Sequence, residues 1–366
     1  MTIEAIATEE GLLNLEDDWH RLTEAGAFAN VFMTFDWFRI WNQRFAQEAP
    51  GGGRHIKVLV MRRDGIIAGI SPLICRTASR YGLAIRKMEF VEGEAAYHDV
   101  VLGDEPALQT AMVVDYLAQF EGQWDLVDLR SVRETGNVAS SIKAALARTR
   151  LSYRILPEQP CPYFALDAPL PVMLRRLSPH TRHSVRNQLN RLRRMSGEGL
   201  RIRIIENPQD EPGLLEKLIA LESRKRVAGK LVAPFLARYP EVFKSLFSRL
   251  GPRGWVYAAL MELRELVIAW ALILRCGKKL WGYHRAFNPS FSRLSAGTML
   301  DTALIDYGFS HGYEEYDFLY GQEPYKMRWN TGCHERFRLV IWSQRWASQA
   351  KSFIYLDLRR ATSWLK

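Results

Sequence analysis

Three apolar stretches, 255–263, 266–275 and 279–287, follow one another, joined through Arg264-Glu265 and through Gly277-Lys278 after Cys276. Connections this short cannot carry a crossover, so the stretches must pair antiparallel as a meander. The chain then turns through Phe291-Ser292-Arg293-Leu294-Ser295-Ala296-Gly297-Thr298 and opens a helix whose apolar positions are Met299, Leu300, Ala303 and Leu304. The first N–H groups of a helix lack partners, so a turn of this kind is a place to hold phosphate. Ser295 is positioned to cap, Gly297 lets a ligand approach the backbone, and Arg293 can pair with an anion. A capped helix without a ligand explains the turn as well.

The first half repeats this order. Alternating stretches 56–61 and 66–74 flank Asp64-Gly65, a residue pair suited to a type I′ hairpin. Extended stretches 87–91 and 98–102 lead to a helix after Asp104, with Leu108, Met112, Val113, Tyr116 and Leu117 at helical spacing. Trp124-Asp125-Leu126-Val127-Asp128-Leu129 then matches Tyr313-Glu314-Glu315-Tyr316-Asp317-Phe318. A helix over 138–149 and one extended segment, 152–166, finish this half. Ser178-Pro179 starts the next helix, which Gly197 stops, and a strand at 200–204 and helices over 211–224 and 241–250 precede the meander. The fold class is α/β, with two similar domains in tandem, each a mixed, largely antiparallel sheet flanked by helices. The expected boundaries are 1–165, 166–345 and an amphipathic C-terminal helix over 346–366, with the junction in the proline-rich stretch 157–171.

With 366 residues, 48% hydrophobic and 25% charged, the chain suits two globular domains. Glu4, Glu9, Glu10, Glu16, Asp17 and Asp18 give the N-terminus the wrong charge for a leader, and no apolar run reaches the length of a membrane span. A cytoplasmic protein is expected, with the inner face of a membrane as the alternative. Cys75, Cys161, Cys276 and Cys333 form no C-x-x-C pair, so no metal site is expected. Cys333 precedes His334 directly, and adjacent side chains seldom cooperate. The net charge of +10 is concentrated between Arg175 and Arg203, where nine arginines face Glu198 alone. Such a segment attracts phosphate-rich partners or is a solvated helix face whose last-turn cations suit the helix dipole. The tail alternates Phe353, Ile354, Leu356, Leu358, Trp364 and Leu365 with Lys351, Arg359 and Arg360, which reads as a docking helix or as a peripheral membrane contact.

Asp317-Phe318-x-x-Gly321-x-x-x-Tyr325-Lys326-x-x-Trp329 resembles the strand-end signature of the CelD-like and Fem-like branch of the GNAT acyltransferase superfamily. Arg293-x-x-Ala296-Gly297-Thr298 is similar to the coenzyme diphosphate pattern of that superfamily, with Ala296 where its first glycine usually stands. Ser178, Arg182 and Arg186 occupy the positions of an arginine-rich helix found in similar sequences. The resemblance implies transfer of an acyl group, expected to be acetyl, from acetyl-CoA or another acyl-CoA to an amine. It implies Arg293, Ser295, Ala296, Gly297 and Thr298 as coenzyme contacts. Within that cluster the expected roles are Asp317 or Glu323 as base, Tyr325 as proton donor to the departing sulfur, and Lys326 as the charge beside the oxyanion. His284, on the third strand of the meander, is a further catalytic candidate. Arg182, Arg186, His98 and Trp329 are the candidate substrate contacts. The acceptor that the CelD-like resemblance implies is a small-molecule, glycan or lipid-linked amine, such as an amino sugar in cell-surface polysaccharide biosynthesis. The rivals are Fem-like use of aminoacyl-tRNA and a silent protein that binds an anionic glycan or a synthase partner; DNA is not expected as a partner.

Overall fold

The computed structural model describes residues 1–25, 30–48, 53–91, 93–134, 138–197, 199–224, 226–227, 230–231 and 234–356. It divides the chain into two compact units, 1–158 with 335–366, and 159–334. No helix among the described residues is long and apolar enough to cross a membrane.

The sheet of the first unit runs Thr2–Ile6, Arg54–Arg63, Ile66–Arg80, Leu83–Phe90, Leu126–Arg133, Arg336–Trp342, Ser152–Pro157. Its neighbours are antiparallel except at Leu83–Phe90 and Leu126–Arg133, which pair in parallel through Lys87 and Leu126. Asp64 (φ 52°) and Gly65 (φ 82°) are both left-handed, the geometry of a type I′ turn. Between 98 and 102 the expected strand shrinks to Leu102–Gly103 and an isolated parallel bridge from His98 to Val132.

The second unit repeats that order: Leu200–Ile205, Val256–Leu263, Leu266–Cys276, Lys279–Phe287, Glu315–Asp317, Cys161–Ala165, Gly332–His334. Again one step is parallel, Lys279–Phe287 beside Glu315–Asp317, and it starts with Lys279 facing Glu315. Lys87 facing Leu126 in the first unit is the same register, so the repeat read at 124–129 and 313–318 is a repeat of structure. Both units share this α/β layout, and the chain holds them in tandem.

The extended segment expected over 152–166 is two strands in different sheets, Ser152–Pro157 and Cys161–Ala165, separated around Pro157 and Pro160, which offer no N–H to a ladder. The strand after 335 pairs in the first sheet, so the unit limits are 158/159 and 334/335, not the expected 165/166 and 345/346. Pairing with a distant strand decides this, and local sequence does not encode it. The C-terminal helix is described over Trp346–Leu356; Leu358, Arg359, Arg360, Trp364 and Leu365 lie outside the described residues.

The arginine-rich helix runs Pro179–Ser196, capped by Ser178, whose side chain accepts the Thr181 N–H at 3.2 Å. Val185 anchors it in the core of the second unit with Met299, Leu300 and Leu304 of the helix Ala296–Ser310.

Candidate functional site

The parallel pair in the second unit is short. Lys279, Leu280 and Trp281 face Glu315, Tyr316 and Asp317; the first strand then continues to Phe287 while the second ends. Among the described residues, 282–287 therefore have no neighbour strand on that side, and their backbone groups on it join no ladder. The register also slips at this point: Leu272 faces His284 but Ile273 faces Gly282, which leaves Tyr283 as an extra residue. A bulge of this kind re-aims the side chains that follow it. His284 falls on the face shared with Leu272, and Arg285 on the opposite face with Ala271.

The turn after this strand begins at Asn288, whose side chain accepts the Ser290 N–H at 3.1 Å. Ser295 adopts a left-handed conformation (φ 52°, ψ 41°) and makes no side-chain cap, contrary to the expectation from sequence. A capping residue needs extended backbone, which Ser295 does not have. The N–H groups of Ala296, Gly297 and Thr298 therefore open the helix without a side-chain cap. Ala296 is buried in the core, whereas a Cβ at Gly297 would meet nothing within 4 Å, so the helix start is open on that side. Arg293 is exposed, and its carbonyl accepts the Arg191 Nη1–H at 2.7 Å. Arg191, read from sequence as dipole charge, is thus pinned beside the turn. Arg182 and Arg186 lie one turn apart on the same helix, half-buried and exposed respectively, and make no ion pair among the described residues.

On one face of the open strand, His284 Nε2 lies 2.6 Å from Glu222 Oε1. Glu222 is buried and also accepts the Phe235 and Leu236 N–H groups at 2.9 and 3.0 Å. Burial pushes its carboxyl up, but the His284 bond and the two amides outweigh that and hold it below the usual range. An ionised carboxylate only accepts, so the shared proton sits on Nε2 and the Nδ1 of a neutral His284 keeps its lone pair. The rings of Phe235 and Trp270 flank the imidazole at 5.1 and 5.6 Å. Sequence reasoning missed Glu222. Its signal is a charge one turn beyond Leu218 on the buried stripe Leu214, Leu215, Leu218 of a helix.

On the opposite face, Arg285 pairs with buried Asp301 and lies 3.7 Å from the centre of the Tyr325 ring. Burial pushes the Tyr325 phenol up to about 12, so it remains a proton donor at neutral pH.

The other expected residues are placed differently. Asp317 is fully buried, accepts the Leu319 N–H at 2.6 Å, and lies against Glu315 and His334, with Lys279 at 3.1 Å from Glu315. It fastens the strand end and cannot meet an incoming amine, so its expected base role is corrected. Glu323 is half-exposed and pairs with Lys326 at 3.1 Å. Lys326 is buried and also donates to the Tyr320 carbonyl; burial pushes its pKa down. Trp329 is 1% exposed, edge-on to Phe164 at 5.6 Å, and so a core residue rather than a substrate contact. His98 is likewise core: its ring stacks on Phe90 at 4.5 Å, Nδ1 donates to the Arg130 carbonyl at 3.1 Å, and burial lowers its pKa to about 4.

The corresponding gap in the first unit is filled by the chain itself. Leu83–Phe90 ends early, and His98 takes the vacated edge, its N–H donating to the Ser131 carbonyl and its carbonyl accepting from Arg133. Asp104 and Glu105 stand at the start of the next helix, Pro106–Gln119, where a phosphate would meet like charge.

Residues 179–327, all within the second unit, match the family described as acetyltransferase (GNAT) domain. The matched region resembles a GNAT-type acyltransferase domain and covers less than half of the chain. No curated protein matches it. Among solved structures it is similar to FemX (TM-score 0.62, 13% identity, 92% of this chain and 97% of that one). It is also similar to the C-terminal domain of a putative lysylphosphatidylglycerol synthetase from Agrobacterium fabrum (TM-score 0.55, 13% identity, 93% and 95%). A third similar structure is L-PGS from Bacillus licheniformis (TM-score 0.50, 11% identity, 86% and 94%). At these identities the likeness is one of fold.

Proposed function

We propose that the second unit transfers an acyl group, acetyl in the simplest case, from acyl-CoA to an amine. The observation that carries this is the open strand edge over 282–287 leading into an uncapped helix start at Ala296. The free edge suits the amide groups of a pantetheine arm. The N–H groups of Ala296, Gly297 and Thr298, with Arg293 and Arg191 beside them, suit its diphosphate. The co-substrate supplies an activated acyl carbon and a thiolate leaving group. His284 Nδ1 takes the proton of the attacking amine, with Glu222 orienting the ring and stabilising its charge. As the C–N bond forms and the C–S bond breaks, Tyr325 gives its proton to the sulfur from the opposite face of the strand. Lys326 has one N–H beyond its bonds to Tyr320 and Glu323 and is the proposed oxyanion contact. The first unit, with its gap filled, takes no coenzyme and is proposed to serve acceptor recognition.

The acceptor proposed is an anionic amine, such as a phosphorylated amino sugar or a lipid-linked precursor of a cell-surface polysaccharide, gripped by Arg182 and Arg186. Support comes from the sequence signature and from the lack of carboxylate partners for these arginines among the described residues. The same arginines favour a second reading, transfer from aminoacyl-tRNA. Thiol release from acetyl-CoA with a panel of amino sugars, beside transfer from aminoacyl-tRNA, separates the two. The expected result is CoA-dependent turnover. The contrary result is tRNA-dependent transfer alone, falling steeply with salt.

A further inference from the structure

Two helices of the first unit bring a histidine and two carboxylates to one point. Glu16 and His20 stand one turn apart on the helix Glu16–Ala25, so their side chains leave the same face. Asp36 stands in the first turn of the helix Phe35–Glu48. One atom from each residue, a carboxylate oxygen or an imidazole nitrogen, lies within 4.8 Å of the other two. Asp36 is 1% exposed and His20 8%, while half-buried Glu16 forms the open side. Trp19 packs on Phe35 and Phe38 at 5.7 and 5.4 Å, and Phe35 meets the His20 ring edge-on at 5.9 Å, so an apolar shell backs the cluster.

The spacing is that of ligands around an ion. His284 and His334 close on their carboxylates to 2.6 and 2.8 Å, the length of a charge-assisted hydrogen bond. His20 Nε2 stays 3.2 Å from Asp36 Oδ2. Two ligands of a tetrahedral ion, each ~2.0 Å from it, stand about 3.3 Å apart. Glu16 and Asp36 bring two negative charges and His20 a nitrogen donor, a set that suits a divalent ion of the first transition row better than Mg²⁺. Glu315, Asp317 and His334 form a second group of this composition, but there the Lys279 ammonium already stands 3.1 Å from Glu315 and Asp317 accepts the Leu319 N–H. The cysteine spacing bears on thiolate sites alone and is silent on both groups.

We propose that Glu16, His20 and Asp36 bind one divalent transition-metal ion, zinc in the simplest case, which ties the two helices together. Three protein ligands leave a fourth position to water. The binding does not rest on the transfer reaction.

Calorimetric titration of Zn²⁺ into the full chain, stripped with a chelator and dialysed, tests it. The wild type should take up one tightly bound ion, and Glu16→Gln should weaken that step at least about tenfold. Glu16 is half-buried, so unchanged circular dichroism is expected and separates loss of a ligand from loss of fold. His20→Gln should weaken the step likewise, and His334→Gln, in the second group, should leave it intact. Saturating Zn²⁺ should raise the melting temperature of the wild type and leave that of Glu16→Gln in place. Absence of wild-type uptake, equal uptake by Glu16→Gln, loss of the step in His334→Gln, or Mg²⁺ competing as an equal overturns the proposal.

Discussion

Replacing His284 with Ala should lower acyl transfer by about 10²- to 10³-fold while leaving acyl-CoA binding near wild type. The amine reaches the thioester protonated at neutral pH, and without Nδ1 no positioned group removes that proton. The acidic limb of the rate profile should flatten in the variant, because that limb reports the base. Glu222→Gln should have a smaller effect of the same kind, about tenfold. Its amide has one oxygen where the carboxylate serves His284, Phe235 N–H and Leu236 N–H together. It also removes the negative charge that stabilises the imidazolium. Steady-state kinetics on both variants, with folding checked, decides the matter. Unchanged turnover in His284→Ala would move the base role to Glu323, the half-exposed carboxylate of the loop.

The second large effect concerns stability. Asp128→Ala should destabilise the first unit by about 3–5 kcal/mol. Asp128 is buried, holds Arg338 through two bonds (2.6 and 3.0 Å), accepts the Tyr355 hydroxyl at 2.7 Å, and lies 3.1 Å from the fully buried Lys87 ammonium. Truncation removes the carboxylate that faces Arg338, Lys87 and Arg130, and leaves Lys87 with Glu89 at 2.5 Å. Burial pushes the Asp128 carboxyl up, but Arg338 and Lys87 outweigh it and hold the folded pKa well below the usual range. A depressed carboxylate contributes its stability above its unfolded pKa, near 4, and loses it as pH falls through the folded value. The gap between wild type and Asp128→Ala should therefore be full at neutral pH and narrow in acid. Denaturant unfolding at neutral and acid pH measures both. A neutral-pH loss below about 1 kcal/mol, the worth of an exposed pair, would contradict the account.

Sequence revealed the meander because its two-residue connections leave one pairing to choose. It revealed the turn because a glycine at a helix start has a local meaning, and the tandem repeat because 124–129 matches 313–318 within the same order of elements; both parallel steps then begin at matched positions, Leu126 and Glu315. Three things escaped it. Ser295 looked like a cap, but its left-handed backbone is set by the 3-10 turn Pro289–Leu294 before it. Asp317 looked like a base at a sheet edge, but Cys161–Ala165, more than a hundred residues earlier, covers that edge and buries it. Trp329 and His98 carried recognisable chemistry into the core, where ring packing and one hydrogen bond account for them. Glu222 was legible as a charge on an apolar stripe, though its partner His284 lies sixty-two residues away and only the fold brings them together.

The proposed reaction requires that the opening of the helix at Ala296 hold the diphosphate of an acyl-CoA. Calorimetric titration of coenzyme A into wild type and Gly297→Glu tests it directly. The new side chain enters open space, so the fold is retained, and its charge stands where the diphosphate is to sit. The account expects one coenzyme per chain in the wild type and about 100-fold weaker binding in the variant. Equal affinity in both proteins, or two coenzymes per chain, would contradict it.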